Sequence, residues 1–161
     1  MEFAEVIAAR HSVRRFKATP VDRELLDRLV DMAGTAPSSK NSHSSAFMVI
    51  DDPDTLKAMS EMREHGSALL EGAAAAIVVM GDTSVTDLWV ENAAISATFI
   101  QLAAVDCGLG SCWVHVAGRP RFKDDASKGM AEDYLRDLLG IKDGLRVLCV
   151  IALGYPEENN G

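Results

Sequence analysis

Apolar residues spaced three and four apart at Phe3, Val6 and Ile7 predict a short amphipathic helix over Glu2–Ala9, which ends near His11-Ser12. Thr19-Pro20-Val21-Asp22 is a helix-start signal. Leu25, Leu26, Leu29, Val30 and Ala33 give that second helix its buried stripe to about Thr35, and Pro37 stops it. Ala36 to Ser45 is a polar loop, longer than a connector needs, and long loops in compact domains are often binding loops. Ala46–Asp51 reads as a buried strand, after which Asp52-Pro53 opens a helix carried by Leu56, Met59 and Met62. Ala73–Met80 reads as a second buried strand that ends at Gly81-Asp82. Asp87–Cys107 is the longest helical segment and stops at Gly108, a natural left-handed cap. Its small residues Ala93, Ala94, Ser96, Ala97, Ala103 and Ala104 let another helix approach closely. Ser111–Ala117 is a third strand, Met130–Leu139 a helix capped by Gly140, and Leu145–Leu153 a fourth strand. Helices outnumber strands without a strict β-α-β-α alternation, and no repeat is visible. The expected class is α+β, a mixed sheet covered by helices.

At 161 residues the chain reads as one domain, residues 1–161, and its 48% hydrophobic and 25% charged content is that of a globular protein. The net charge of −8 repels a phosphate backbone, which argues against nucleic acid as a partner. Cys107, Cys112 and Cys149 form no C-x-x-C pair, and an odd number of thiols fits a reducing cytoplasm. The longest uncharged stretch, Asn92 to Val105, is shorter than the ~18 residues of a spanning helix. The first ten residues carry two acids before any base, so neither a membrane span nor a secretory signal is expected.

Arg10-His11-Ser12-Val13-Arg14-Arg15-Phe16-Lys17 gathers basic residues in an otherwise acidic chain. Arg10 and Arg14, with the Ser12 hydroxyl between them, can hold one phosphate, because a guanidinium presents a planar fork to phosphate oxygens. The same turn is also explained as a solvated basic surface paired with nearby acids. His11, His43, His65 and His115 fall at no metal-ligand spacing, so no metal is assigned. Gly108-Leu109-Gly110-Ser111-Cys112 completes neither a G-x-S-x-G elbow nor a G-x-G-x-x-G fingerprint. Cys112, in an apolar strand, reads as a core thiol rather than a nucleophile. Trp113 and His115 alternate on the same strand, where they either face a ligand or pack in the core.

Four segments in fixed order resemble the flavin-dependent nitroreductase family: Arg10 to Phe16, Ala36-Pro37-Ser38-Ser39-Lys40-Asn41, Gly108 to Trp113, and Leu153-Gly154-Tyr155-Pro156. The likeness covers nearly the whole chain. It implies a three-layer sandwich, a mixed and mostly antiparallel sheet flanked by helices, assembled as an intertwined homodimer with an FMN in each of two interface pockets. By matched position it implies that Arg10, Ser12 and Arg14, with His11 alongside, hold the phosphate, ribityl chain and pyrimidine edge. Pro37, Ser38, Ser39 and Asn41 would come from the partner chain, and Trp113, Val114 and His115 would line the flavin. The small-residue helix would then be the dimer helix.

The resemblance also implies an activity: an NAD(P)H oxidoreductase that passes hydride through flavin N5 to a nitroaromatic, quinone or similar small conjugated acceptor. A flavin-binding sensor or storage dimer without turnover is the alternative. Two departures stand out. Ser42-His43-Ser44-Ser45 replaces the family's usual Q-P-W pattern after Asn41, which changes the pocket wall. Typical members also continue past Gly-Tyr-Pro with a tail that brings a Lys or Arg to the phosphate, and a sequence that stops at Gly161 is expected to bind FMN more weakly.

Overall fold

The computed structural model describes residues 1–160. Along the chain run α1 (Phe3–Ala9), α2 (Arg23–Gly34), β1 (Ser45–Ile50), α3 (Pro53–Ser60), β2 (Ala75–Asp82), α4 (Trp89–Asp106), β3 (Gly110–His115), α5 (Ala131–Leu139) and β4 (Leu145–Gly154). Local chemistry sets several of these boundaries. Asp52 accepts the Thr55 N–H at 2.9 Å with Pro53 in the first turn of α3, a cap that satisfies an orphan donor. Gly140 ends α5 at φ 64°, a conformation that a side chain disfavours.

The sheet order is β1-β2-β4-β3, and each of its three pairings is antiparallel. The mixed sheet expected from the sequence is therefore an antiparallel one. Parallel pairing is confined, among the described residues, to the isolated bridge Ser12–Ser111.

Alternation along the two central strands creates two apolar faces. Ala76, Val78, Met80, Val150 and Ala152 face a cluster with α3 and α5, whereas Ala75, Ile77, Val79, Ile151 and Leu153 face one with α2 and α4. Helices thus cover both faces, which is the three-layer arrangement. A bulge shifts the register between Val79–Cys149 and Met80–Val147, so Leu148 and Cys149 both turn to the α2–α4 side. Leu148 O accepts both the Val116 and Ala117 N–H groups at 3.1 Å, and β3 accordingly ends at His115, before the expected Ala117. A short 3-10 turn over Ala68–Gly72 closes with Ala73 N–H on Leu70 O and delays β2 to Ala75.

The small residues of α4 pack within the chain. Ala93, Ala97 and Ala104 are fully buried, and Ser96 Oγ donates to Ala33 O on α2 at 3.2 Å. That stripe admits α2 and the sheet. The larger apolar residues Val90 and Ile95 of α4, with Phe3 and Ile7 of α1, lie exposed on the outside. No helix among the described residues is long and apolar enough to cross a membrane.

Candidate functional site: a basic turn, a sheet edge and a serine loop

Two glycines let the basic turn lie against the sheet. A Cβ on Gly110 would sit 2.8 Å from Val13, and one on Gly154 would sit 2.8 Å from Phe16, so only glycine admits these anchors. Val13 N–H donates to Ser111 O at 2.9 Å and Lys17 N–H to Tyr155 O at 2.8 Å. With Val13 and Phe16 buried, Arg14 and Arg15 between them are forced outward. Asn160 Oδ1 accepts both the Arg14 and Arg15 N–H groups, at 2.9 and 2.8 Å, while its Nδ2 donates to Arg15 O. Ser12 is half-buried on the β3 edge and Arg10 caps α1, whereas His11 is exposed with its Nδ1 3.0 Å from Ala9 O.

β3 is an edge strand. Because Ser111 O is taken by Val13 and His115 O accepts Arg63 Nη1 at 3.3 Å, the alternation of the ladder turns the backbone groups of Trp113 outward as well. Val114 has the opposite placement: its side chain is in the core on the α3–α5 side, and its backbone faces β4. Trp113 and His115 stack with ring centroids 6.3 Å apart. The indole can only donate, so Trp113 Nε1 donates to His115 Nδ1 at 3.1 Å and the imidazole carries its proton on Nε2. Burial lowers the His115 pKa, and the charges of Arg119 and Arg63 lower it further, which keeps the ring neutral at pH 7.

Arg14, Arg63, Cys112, Trp113 and His115 line one cavity of about 400 Å³. Burial pushes the Cys112 thiol up, with the Arg14 charge and the Ser12 hydroxyl pulling the other way, so it stays a protonated thiol. Among the described residues neither Arg10, Arg14 nor Arg63 has a carboxylate within 4.0 Å.

The serine loop is held by a residue that the sequence pattern did not single out. Asn92, buried near the start of α4, accepts the Ser39 N–H at 2.9 Å and donates to the hydroxyls of Ser39, Ser42 and Ser44. Ser38 Oγ in turn accepts the His43 N–H at 3.0 Å. Lys40, Asn41 and His43 all have positive φ, near 50°, which costs energy for residues with a side chain and persists where neighbours dictate it. Pro37 and Asn41 are exposed, and Ser38 and Ser39 half-buried.

The turn and the loop do not meet within one chain. The basic turn joins the sheet at the Gly110–Gly154 end beside edge strand β3, while the serine loop enters at Ser45, opposite Gly81, on the other edge strand β1. These are diagonal corners of a four-stranded sheet, about 20 Å apart at ordinary strand spacing. Ser12, Arg14, Trp113 and His115 lie along the β3 edge, with Arg10 just before them at the end of α1, and Pro37, Ser38, Ser39 and Asn41 precede β1 on the other edge. Arg63, on the segment after α3, joins the first group through the fold alone, with no local signal in the sequence.

Comparison with known proteins identifies the class of this α+β sandwich. The nitroreductase family model matches residues 7–80 and 60–155, and the chain belongs to the nitroreductase family. It is 34% identical over 161 residues to an Archaeoglobus fulgidus protein named "Putative NADH dehydrogenase/NAD(P)H nitroreductase", covering 98% of this chain and 87% of that one. A protein of the same name from Methanothermobacter thermautotrophicus is 32% identical, covering all of this chain and 81% of its own length. Among solved structures, an FMN-dependent nitroreductase from Clostridium difficile R20291 superimposes with a TM-score of 0.89 at 36% identity, over 96% of this chain and 88% of that one.

Proposed function

We propose that this chain is an FMN-dependent NAD(P)H oxidoreductase that acts as a homodimer, with each flavin held between the basic corner of one protomer and the serine loop of its partner. The observation that carries this reading is the acid-free cavity lined by Arg14, Trp113 and His115, on the sheet edge opposite the one that carries the serine loop. A two-fold assembly is the simplest way to bring two distant corners of one chain together twice. The exposed Phe3, Ile7, Val90 and Ile95 give such an assembly an apolar surface to bury.

The donor set suits FMN. Arg10, Ser12 and Arg14 offer charged and hydroxyl donors to a phosphate and a ribityl chain, with His11 at their side. The outward backbone N–H of Trp113 offers a donor to a polar ring edge, with the His115 ring beside it and Val114 supporting the strand from the core. The partner's loop supplies the opposite wall through Pro37, Ser38, Ser39 and Asn41.

FMN held by these residues would supply hydride and electron transfer between a reduced nicotinamide and a conjugated acceptor such as a nitroaromatic or a quinone. Arg14, which lines the cavity beside Trp113, would add positive charge near an anionic reduced flavin, which favours the reduced state. Solvent supplies protons, so no side chain is required as an acid or base.

Visible absorption after addition of FMN and desalting, followed by mixing with NADH or NADPH, tests this reading. Retained flavin that bleaches with nucleotide and recovers with acceptor is the expected result. A colourless protein overturns the flavin assignment, and retained flavin that neither nucleotide bleaches points instead to a sensor or storage dimer.

A further inference from the structure

A second basic cavity, of about 330 Å³, adjoins the first and shares Arg63 with it. Its walls carry Arg63, His65, Arg119, Arg121 and Lys123, so four of the sixteen Lys and Arg residues of an acidic chain line one small pocket. None of these four has a carboxylate within 4.0 Å among the described residues. Glu64, the one acid in the wall, is tied back by accepting the Lys123 N–H at 2.9 Å.

The pocket is rigidly built. Arg121 N–H donates to Gly129 O and Arg121 O accepts the Glu64 N–H, which clips the two walls together. The Arg121 guanidinium lies 4.0 Å from the Tyr134 ring centroid and donates to Glu61 O, while its Nε is buried without a partner. The charge of Arg119 also acts on half-buried Arg63, whose guanidinium is already disfavoured by burial. Cations that outnumber the anions beside them repel one another, and a bound anion relieves that repulsion.

We infer that this pocket binds the 2′-phosphate of the nicotinamide donor and so selects NADPH over NADH. The inference rests on the oxidoreductase reading, in which a dinucleotide must lie against the first cavity and extend beyond it. Arg63 bridges the two cavities, and Arg119 and Lys123 present exposed cations on the far side. A phosphate dianion is the group that several converging guanidinium and ammonium donors match.

Calorimetric titration of FMN-treated protein with 2′,5′-ADP and with 5′-AMP isolates the 2′-phosphate without any turnover. Binding of 2′,5′-ADP at least about tenfold tighter than 5′-AMP is expected, given the strength of charge-assisted hydrogen bonds. That difference should collapse in an Arg119→Ala/Lys123→Ala double variant, which removes two exposed side chains that make no hydrogen bond among the described residues. Equal binding of the two nucleotides, or a difference that survives the double variant, overturns the inference. Competition by inorganic phosphate as strong as that by 2′,5′-ADP also overturns it, since the pocket is then a general anion site. Flavin that bleaches with NADH in a protein showing no nucleotide discrimination refutes this pocket alone. Discrimination by a protein that never retains flavin refutes the oxidoreductase reading and keeps the pocket.

Discussion

Asn92 holds Ser39 with both ends of its amide: Oδ1 accepts the Ser39 N–H at 2.9 Å and Nδ2 donates to Ser39 Oγ at 3.3 Å. The same amide donates to Ser44 Oγ at 2.9 Å. One buried side chain on a rigid helix thus fixes the loop proposed to wall the partner's flavin. Asn92→Ala leaves these groups without a partner, and a loss of about 1–3 kcal/mol of stability is expected in urea denaturation. FMN retention should fall as well, because the strained backbone of Lys40, Asn41 and His43 then loses its anchor to α4. A variant with wild-type stability and flavin content would remove Asn92 from this role.

The contact of Gly110 with Val13 makes a prediction about coupling. Gly110→Ala puts a methyl group 2.8 Å from the Val13 side chain, and overpacking of this kind costs about 1–3 kcal/mol. In a Gly110→Ala/Val13→Ala double variant part of that cost should disappear, so the two effects fall short of additivity. Strict additivity in thermal or chemical denaturation would show that the turn is not held by this contact.

Arg14→Ala should lower the flavin occupancy or the reduction potential, since it removes an unpaired guanidinium from the cavity beside Trp113 and His115. Absorbance after desalting reads the first and potentiometric titration the second. Unchanged values for both would place Arg14 outside the site.

Glu132 predicts the acid limb of the stability curve. Burial works against its carboxylate, but hydrogen bonds from Arg146 and the Val147 N–H, together with the charges of Arg146 and Arg136, outweigh burial and hold its pKa below the usual glutamate range. The folded chain therefore binds this proton less readily than the unfolded chain. The stabilisation is complete above the unfolded value, about 4.3, and is lost as pH falls through the lower folded value. Glu132→Gln should destabilise the protein at pH 7 and flatten the pH dependence of stability below about pH 4.5. An unaltered acid limb in the variant would contradict this.

Much of the fold is legible in the sequence because its signals are local. The Leu26, Leu29 and Ala33 stripe, the Asp52-Pro53 start and the Gly140 stop each act within a few residues, and the corresponding helices lie where the pattern places them. The β2 and β3 boundaries differ because a 3-10 turn and a bulge answer to hydrogen bonds made with Leu70 and Leu148. Sheet order is not local, and it alone sets the basic turn and the serine loop at opposite corners. Asn92 was hidden for the same reason: in sequence it is a polar residue in an alanine-rich helix, and its partners lie 48 to 53 positions away. The alanine stripe beside it signals close packing without naming the partner, which is α2 and the sheet.

The shared flavin site is tested most directly by sedimentation of the FMN-treated protein, followed at flavin and protein wavelengths together. Flavin should travel with a particle of two 17.3 kDa chains and bind at about one per chain. Flavin that sediments with a single 17.3 kDa chain would contradict a site built from two protomers.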